Sequence, residues 1–294
     1  MLRRSLILVA AALVAAGAAS ARTTRFPLTI HAANGAVTIT KQPTRIISLS
    51  PTTTEDLFAI GAGKQVVAVD EDSDYPKSAP RTKLSGLTPN AEAIAQLEPD
   101  LVVVSYPGPV IGQLQKLGIP VLEEPAVDTI AQAYQEIREL GSATGHSAQA
   151  AKVVHRMERR LTTLIRSVPK THRHLRVYHE LTPDGYSATS QTFIGRVYKL
   201  FGFTNIADAA DTTHSGYPQL SAEYILSSNP QLVVLADSVC CGQSARTVAS
   251  RAGWKQLDAV KRHRVIAVDD SIASRWGPRL IDFVAAIAAA AKRG

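Results

Sequence analysis

The chain has 294 residues, of which 45% are hydrophobic and 19% are charged, and its formal net charge is +7. This composition is that of a globular protein, and the length allows one large core or two smaller ones. The charge is modest for this length, and no run of Lys and Arg is long enough to follow a nucleic-acid backbone, so no nucleic-acid partner is expected.

Residues 1–21 have the pattern of a secretory signal peptide. An Arg3-Arg4 pair precedes an apolar stretch, and Ala19-Ser20-Ala21 suits signal peptidase, so we expect cleavage before Arg22. The apolar stretch is too short to favour a membrane-spanning helix. No cysteine near the cleavage point could carry a lipid. The mature protein is therefore expected to be periplasmic or secreted, and soluble.

Residues 22–43 predict an N-terminal β arm. Apolar residues alternate on both sides of Asn34-Gly35, a pair typical of a hairpin turn. Over residues 44–127, unbroken runs of Val, Ile and Leu alternate with helical patterns. This alternation is typical of a parallel sheet covered by helices on both faces, and it predicts an N-terminal α/β lobe.

Residues 128–170 lack any strand signal and predict linking helices, with a break at Gly145. The second of these keeps its apolar residues at helical spacing for about 20 residues, or roughly 30 Å. The α/β pattern resumes over residues 171–294 and predicts a C-terminal lobe. The predicted fold class is α/β, with two Rossmann-like lobes, each around a central parallel sheet, joined by one long α-helix.

One short sequence occurs in each lobe. AEAIAQLEPDLVVV begins at Ala91, and AEYILSSNPQLVVL begins 131 residues later at Ala222. Each copy predicts a short helix leading into a buried strand, with Glu92 or Glu223 in the first turn. The helix dipole favours a carboxylate there by about 0.3–1 kcal/mol, which is a structural reason for either glutamate. A glutamate at equivalent positions of both lobes also suits docking onto a two-fold partner with basic pockets.

Three stretches resemble one protein family. They are RIISLSPTTTEDLFAIGAGKQVVAVDEDSDYP from Arg45, AEAIAQLEPDLVVVS from Ala91, and GWKQLDAVKRHRVIAVDDSIASRWGPRL from Gly253. They are similar to the periplasmic substrate-binding proteins of ABC importers for ferric siderophores, haem and vitamin B12. The resemblance covers roughly residues 44–290 and is specific for the family but weak for the ligand.

The resemblance implies a bilobed monomer that binds a metal chelate in the cleft between its lobes. Such a protein catalyses no reaction, needs no cofactor, and delivers its ligand to an ABC permease dimer with ATPase subunits. In this family, one glutamate per lobe contacts arginines of the paired permease subunits. Glu92 and Glu223 fall on these positions.

The family builds its cleft from loops at the strand ends of both lobes, as is usual for ligand sites in α/β folds. The tyrosines in these loops could line a flat ligand or pack within their own loops. Arg275 could bind an anionic group through its planar guanidinium, whereas Arg279 is better explained by a structural carbonyl or carboxylate partner. The candidate cleft residues are Thr52, Thr53, Asp72, Tyr75, Tyr106, Tyr186, Tyr217, Arg275 and Trp276.

Two loops depart from the pattern of the vitamin B12-binding members, which tend to have aromatic residues there. This chain has Asp70-Glu71-Asp72 after its second lobe strand and Leu87-Thr88-Pro89 before the docking helix. The departure makes cobalamin a less favoured ligand than in those members. The three carboxylates either face a cationic ligand or are simply solvated.

Two other functions are weighed against this one. A zinc- or manganese-binding protein would need His with Asp or Glu at the cleft, and only His179 and His214 could reach it, so no metal site is predicted. A hydrolase would need a motif such as Gly-x-Ser-x-Gly, which is absent. The adjacent Cys240 and Cys241 could form a vicinal disulfide, stay as thiols, or pair between molecules.

Overall fold

The computed structural model describes residues 24–293. The predicted signal peptide lies outside these residues. The strands are β1 (Leu28–Ala32), β2 (Gly35–Ile39), β3 (Ile46–Leu49), β4 (Val66–Val69), β5 (Leu101–Val104), β6 (Val121–Glu123), β7 (Arg176–Glu180), β8 (Thr204–Asn205), β9 (Leu232–Leu235) and β10 (Val265–Ala267).

The helices alternate with most of these strands. They are α1 (Pro51–Ala59), α2 (Ala91–Ala95), α3 (Pro109–Lys116), α4 (Ile130–Thr144), α5 (Ser147–Arg166), α6 (Phe193–Phe201), α7 (Ala222–Ser228), α8 (Ser238–Cys241), α9 (Ala245–Ser250), α10 (Asp258–Lys261), α11 (Asp270–Ser274) and α12 (Leu280–Ala291). Within the described residues, no helix is both long and apolar enough to cross a membrane.

Strands β1 and β2 form the predicted hairpin, with Ala32 opposite Gly35 in an antiparallel register. Gly35 has a φ of 101°, a conformation that glycine adopts without steric cost. The Asn34 side chain attaches the turn to the N-terminal lobe, because it donates to the Val121 carbonyl at 2.9 Å and accepts from the Glu123 amide at 3.1 Å. The hairpin thus packs beside β6.

Each lobe contains a four-stranded parallel sheet, and the two sheets have the same strand order. The N-terminal sheet runs β4-β3-β5-β6, and the C-terminal sheet runs β8-β7-β9-β10. All residues of β3, β5 and β9 are buried, as their unbroken apolar runs predicted. The sequence repeat therefore leads into the same third strand of each lobe, which confirms the prediction of two α/β lobes.

Helix α5 joins the two lobes. Val153, Val154 and Met157 from its first and middle turns belong to the core of the N-terminal lobe. Leu164 from its last turn belongs to the core of the C-terminal lobe. Helix α4 packs alongside α5 and ends at Gly145, whose φ of 79° places it in the left-handed region. The predicted long linking helix is confirmed, and α4 forms a helical hairpin with it.

The two repeat helices are short and similarly capped. The Asn90 side chain accepts a hydrogen bond from the Ala93 amide at 2.9 Å at the start of α2. The Ser221 hydroxyl accepts one from the Tyr224 amide at 3.1 Å at the start of α7. These are ordinary N-caps, which satisfy a free backbone donor.

Several short elements have no counterpart among the predicted ones, namely β8, α8, α9 and α11. Each is too short for a helical or strand period to be recognised. The stretch GWKQLDAV, for which the sequence predicts one short helix, is instead divided into a 3₁₀ turn at Trp254–Gln256 and the separate α10. These segments connect the strands of the C-terminal lobe.

Two helical glycines should respond in opposite ways to alanine. A Cβ at Gly195, in α6, would overlap the Thr189 carbonyl oxygen, whereas a Cβ at Gly112, in α3, would meet nothing within 4 Å. We expect Gly195→Ala to lower the unfolding free energy by about 1–3 kcal/mol through overpacking. Gly112→Ala should raise it by about 1 kcal/mol. Urea denaturation measures the unfolding free energy of each variant. Equal changes in the two variants would contradict the packing described for α6.

Candidate functional site

A cavity of about 290 Å³ lies at the carboxyl edge of the N-terminal sheet. Its wall includes residues that directly follow the strands of that sheet, among them Ser50 after β3, Asp70 after β4 and Ser105 after β5. Parallel strands present their carboxyl ends at one edge, where ligand sites of α/β folds lie. We call this space the N-side cavity.

A second cavity, of about 350 Å³, is lined mainly by the C-terminal lobe. Its wall includes the start of α6 at Phe193 and the loop that contains His214 and Tyr217. We call this space the C-side cavity. Ala126, Ser274 and Trp276 line both cavities, so the two spaces adjoin at these residues and form an interlobe cleft.

Trp276 is held firmly at the junction of the two cavities. Its indole Nε1 donates to Glu136 Oε2 on α4 at 2.7 Å. Its ring packs edge-on against Phe193, with 6.4 Å between the ring centroids. These contacts orient a partly exposed aromatic ring toward the cleft, where it can contact a ligand from either lobe.

The segment that carries Trp276 is bound to the N-terminal lobe by ion pairs. Glu55 of α1 accepts from Arg279 Nε at 2.8 Å and Nη2 at 2.5 Å, and from Arg275 Nη1 at 2.9 Å. Arg275 Nη1 also lies 2.9 Å from Asp74 Oδ1. Arg279 has the carboxylate partner that its position in the sequence predicted. We call Glu55, Asp74, Arg275 and Arg279 the interlobe ion-pair cluster.

Most of the candidate cleft residues do line the cleft. Thr52, Asp72, Tyr106 and Arg275 line the N-side cavity, Tyr217 lines the C-side cavity, and Trp276 lines both. The Arg275 guanidinium is already occupied by carboxylates, so this arginine is a structural contact between the lobes rather than a free anion site.

The remaining three candidates lie elsewhere. Thr53 is fully buried, and its hydroxyl shares a hydrogen bond of 2.8 Å with the Ser48 hydroxyl. The Tyr75 ring stacks on the Arg279 guanidinium, with its centroid 4.1 Å from the central guanidinium carbon. Tyr186 is 43% exposed but lines neither cavity. In this structure these three side chains do not reach the cleft.

The acidic loop after β4 contributes to the N-side cavity through two of its three carboxylates. Asp70 and Asp72 line the cavity, whereas Glu71 does not. Burial raises the pKa of Asp70. The loop also supports the lobe contact, because the Asp72 carbonyl accepts from Arg275 Nη2 at 3.2 Å.

Three buried carboxyl groups lie close to one another beside the cleft. Burial, and then repulsion from Glu136 and Glu139, raises the pKa of Glu124 to about 9. Burial also raises the pKa of Glu136 to about 8, although the Trp276 hydrogen bond opposes the shift. Burial, and then repulsion from the neighbouring glutamates, raises the pKa of Asp56 well above its usual range. Glu124 and Glu136 are therefore largely protonated at neutral pH.

The histidines named for a metal site do not come together. His179 is fully buried, shares a hydrogen bond of 2.6 Å with the Tyr198 hydroxyl, and has its pKa lowered by burial to about 3. His214 lines the C-side cavity. Among residues 24–293, no group of three His, Cys, Asp or Glu side chains is arranged to hold a metal ion.

Cys240 and Cys241 lie exposed in α8, with their sulfur atoms placed as in a vicinal disulfide. Asp270 holds the start of this helix, because it accepts from the amides of Val239 at 3.0 Å and Cys240 at 2.8 Å. Neither cysteine lines the two cavities. The disulfide itself stays a prediction, which mass measurement of the unreduced protein would check.

Three residues at this site, Glu55, Glu136 and Phe193, are not among those that the sequence predicted. Glu55 and Glu136 lie in helical sequences where a carboxylate is normally solvated, and nothing in those sequences shows that each meets the segment around Trp276. Phe193 follows the N-cap Thr192, which accepts from the Gly195 amide at 3.1 Å. That cap signal places Phe193 in the first turn of α6 but not beside Trp276.

The chain matches known proteins over most of its length. Residues 46–272 match the family described as periplasmic binding protein. An uncharacterized ABC transporter substrate-binding lipoprotein, YvrC, of Bacillus subtilis is 34% identical, with 92% of this chain and 87% of that protein covered. A cobalamin-binding protein of Halobacterium salinarum is 33% identical, with 91% of this chain and 74% of that protein covered.

Solved structures agree with this result. The periplasmic vitamin B12 binding protein BtuF of Vibrio cholerae superposes with a TM-score of 0.67 at 27% identity, covering 85% of this chain and 96% of that one. Its fold is the same bilobed α/β architecture. The family match, the relatives above 30% identity and the cleft between two equivalent lobes lead to one conclusion: the chain belongs to the periplasmic binding protein family.

Proposed function

We propose that this protein is the extracytoplasmic solute-binding component of an ABC importer and that it binds a metal chelate in the interlobe cleft. The observation that carries the proposal is Trp276, one ring that lines both the N-side and the C-side cavity. Tyr106 and Tyr217 add further rings on either side, and they are 56% and 49% exposed. Exposed aromatic faces around a cleft suit a large, flat ligand.

Among metal chelates, the ligand is a corrinoid, haem or a ferric siderophore. The name of the Halobacterium relative supports a corrinoid, although the acidic loop replaces the aromatics typical of vitamin B12-binding members. Tryptophan fluorescence titrated with cyanocobalamin, haemin and ferrichrome tests the proposal. We expect saturable quenching by one of them that is reduced in Trp276→Phe. If all three leave the fluorescence unchanged, the proposed ligand class is wrong.

Removing the cleft tyrosines should weaken binding. We expect Tyr106→Ala and Tyr217→Ala each to lose about 1–2 kcal/mol of binding free energy, roughly 5–30-fold in Kd, because apolar ring area is no longer buried against the ligand. Tyr186→Ala is the matched control, since this exposed ring lines neither cavity. Calorimetric titration with the ligand identified above measures the three values. A loss of affinity in Tyr186→Ala as large as in the others would contradict this cleft.

The proposed partner is a permease dimer with its ATPase subunits, docked through Glu92 and Glu223. Both side chains are exposed, and each lies in the first turn of the helix that precedes the third strand of its lobe. Hydrogen bonds at the helix start and from Ser221 lower the pKa of Glu223, so this carboxyl is ionised at neutral pH. Ionised carboxylates at matching places suit basic pockets on two equivalent subunits.

Loss of both glutamates should abolish transport without changing ligand affinity. In Glu92→Ala/Glu223→Ala, the charge complementarity that holds the protein on the permease is removed, while the cleft remains intact. Uptake of labelled ligand by cells or proteoliposomes should fall to background, and the Kd should stay as in the native protein. Glu158→Ala, which removes a half-exposed carboxylate from α5, is the control and should transport normally. A weaker Kd in the double variant would place these residues in the cleft instead.

We also propose that the protein acts as a monomer outside the cytoplasm. The predicted signal peptide supports export. The Bacillus subtilis relative is named a lipoprotein. Fractionation of cells that express the full chain tests this location, and recovery in the cytoplasmic fraction would contradict it.

A further inference from the structure

The charged residues that line the cleft are mostly acidic, although the chain as a whole has a formal net charge of +7. Asp70 and Asp72 line the N-side cavity, and Asp128 and Asp211 line the C-side cavity. Among the described residues, no lysine lines either cavity, and Arg275 is the one arginine that does. The sign of the charge in the cleft is therefore opposite to that of the whole chain.

The charge of Arg275 does not compensate these aspartates. Its Nη1 atom donates to Glu55 and to Asp74, each at 2.9 Å, and only 13% of its side chain is exposed. The interlobe ion-pair cluster to which it belongs consists of two carboxylates and two guanidinium groups, so the cluster as a whole is neutral. A ligand in the cleft thus meets aspartates that no guanidinium compensates.

Asp72 and Asp128 are free to meet a ligand, one in each cavity. Both residues are exposed. Within residues 24–293, neither carboxylate lies at ion-pair distance from a Lys or Arg. The hydrogen bonds of both residues involve their backbone atoms. Burial, and then the charge of Asp128, raises the pKa of the cleft residue Tyr217.

The other two aspartates differ in their ionisation. Asp211 Oδ2 accepts from the Gly216 amide at 2.7 Å, and Oδ1 accepts from the Ser215 amide at 3.0 Å. Partial burial opposes ionisation, but these hydrogen bonds outweigh it and lower the pKa of Asp211, so this carboxyl is ionised at neutral pH. Asp70 is 1% exposed and burial raises its pKa, so we do not count it as a charge. With His214 counted as neutral, as in the formal charge of the chain, the cleft wall carries three uncompensated negative charges.

A cleft lined by charges of one sign selects its ligand by charge. Protein walls have a lower dielectric constant than water, so the fields of the carboxylates are focused into the space between the lobes and attract a cation. An anionic ligand meets like charges there, which lowers its affinity. Haem carries two carboxylates and would meet this repulsion, as would a ferric siderophore of net negative charge.

We propose that the ligand of the cleft is a metal chelate of net positive charge, attracted by Asp72, Asp128 and Asp211, and that the cleft rejects anionic chelates such as haem. This inference rests on the proposed function, because it specifies the charge of the chelate bound in the same cleft. It favours corrinoids without an ionised carboxylate, and hydroxamate siderophores with a free ammonium group.

Two pairs of chelates that share a metal core but differ in charge test this assignment. Ferrioxamine B carries a free ammonium group, and its N-succinyl derivative carries a carboxylate instead. Aquacyanocobinamide carries amides and a net positive charge, whereas aquacyanocobyrinic acid carries carboxylates. Calorimetric titration at neutral pH measures the Kd of each. In a pair that binds, the cationic member should bind at least about tenfold more tightly, and its affinity should fall as the ionic strength rises from about 0.02 to about 0.5 M.

Asp72→Asn and Asp128→Asn each remove one of these charges and keep the size of the side chain. Each should weaken binding of the cationic member about three- to tenfold and narrow its preference over the anionic member, because the attraction of one carboxylate is lost. Glu98→Gln, which neutralises an exposed glutamate that lines neither cavity, should leave the Kd values unchanged. The aspartates replaced are exposed, so both variants should fold, and thermal unfolding monitored by circular dichroism checks this.

Failure of this inference can be told apart from failure of the proposed function. If neither pair binds and haemin does not bind, the proposed ligand class is wrong and the charge assignment fails with it. If a pair binds and its anionic member binds as tightly as the cationic one, or more tightly, the cleft takes a metal chelate and only the charge assignment is wrong. Tighter binding of haemin than of either cationic probe, or an unchanged preference in both asparagine variants, would also overturn it.

Discussion

Glu55→Ala should lower the unfolding free energy by about 3–5 kcal/mol, the range measured when one partner of a buried ion pair is removed. The Glu55 side chain is 1% exposed and binds two arginines from a segment more than two hundred residues away. Without it, Arg275 and Arg279 stay partly buried, and only Asp74 still compensates Arg275. Urea denaturation of the variant and of the native protein measures the difference.

The exposed pair Arg138–Glu158 is the matched control for this change. Its N–O distance is 3.4 Å, and both side chains are nearly half exposed. Such surface pairs contribute about 0–1 kcal/mol, so Glu158→Ala should have little effect. Glu55→Ala should also weaken ligand binding, since the interlobe ion-pair cluster holds the segment that carries Trp276. Equal stability losses in the two variants would show that the cluster does not hold the lobes together.

A rise in pH from about 5 to about 8 should destabilise the protein through Glu124 and Glu136. The pKa of each is raised in the folded state from the ordinary value of 4.5, to about 9 and about 8. Between these values the folded chain binds protons that the unfolded chain has lost, so raising the pH favours unfolding. The stability that the two protonated carboxyls contribute is fully present below their pKa of 4.5 in the unfolded chain. It is lost as the pH rises through their pKa values in the folded chain, about 9 and about 8. In this pH range, each of the two groups should lower the unfolding free energy by about 1.4 kcal/mol for every pH unit.

Glu124→Gln removes one of these titrating groups. The variant's unfolding free energy should therefore fall less steeply with pH, by about 1.4 kcal/mol per pH unit, than that of the native protein. At about pH 8 the variant should then be more stable than the native protein, because a neutral amide replaces a carboxyl that resists ionisation. Urea denaturation at a series of pH values between about 5 and 8 measures both slopes. Glu98→Gln, at an exposed position, should keep the native slope. An unchanged slope in Glu124→Gln would mean that this carboxyl is ionised in the folded protein.

The ion pairs of Glu55 and the buried carboxyls Glu124 and Glu136 lie in one region, where α1, α4 and the segment before α12 meet. Ion pairs hold this segment from the side of α1, and a hydrogen bond to a buried carboxyl holds it from the side of α4. Trp276 is thus fixed before any ligand enters. A ring held in place loses little conformational freedom on binding, which favours affinity.

Local patterns in the chain were sufficient to predict the longer strands and helices and the presence of two α/β lobes. Unbroken apolar runs predicted the buried strands, helical spacing predicted α5, and Asn34-Gly35 predicted the hairpin. The repeat at Ala91 and Ala222 predicted that the lobes are equivalent, and the common strand order confirms it. These features are readable because backbone periodicity and turn conformation depend on residues that are neighbours in the chain.

Which side chains meet at the cleft could be found only from the folded molecule. Thr52 and Thr53 are adjacent and both are buried, yet only Thr52 lines the N-side cavity. Tyr186 is exposed like the two cleft tyrosines but lines neither cavity. Arg275 meets Glu55 across 220 residues. Such contacts depend on how two separate sheets are placed relative to each other, and no local pattern in the chain encodes that placement.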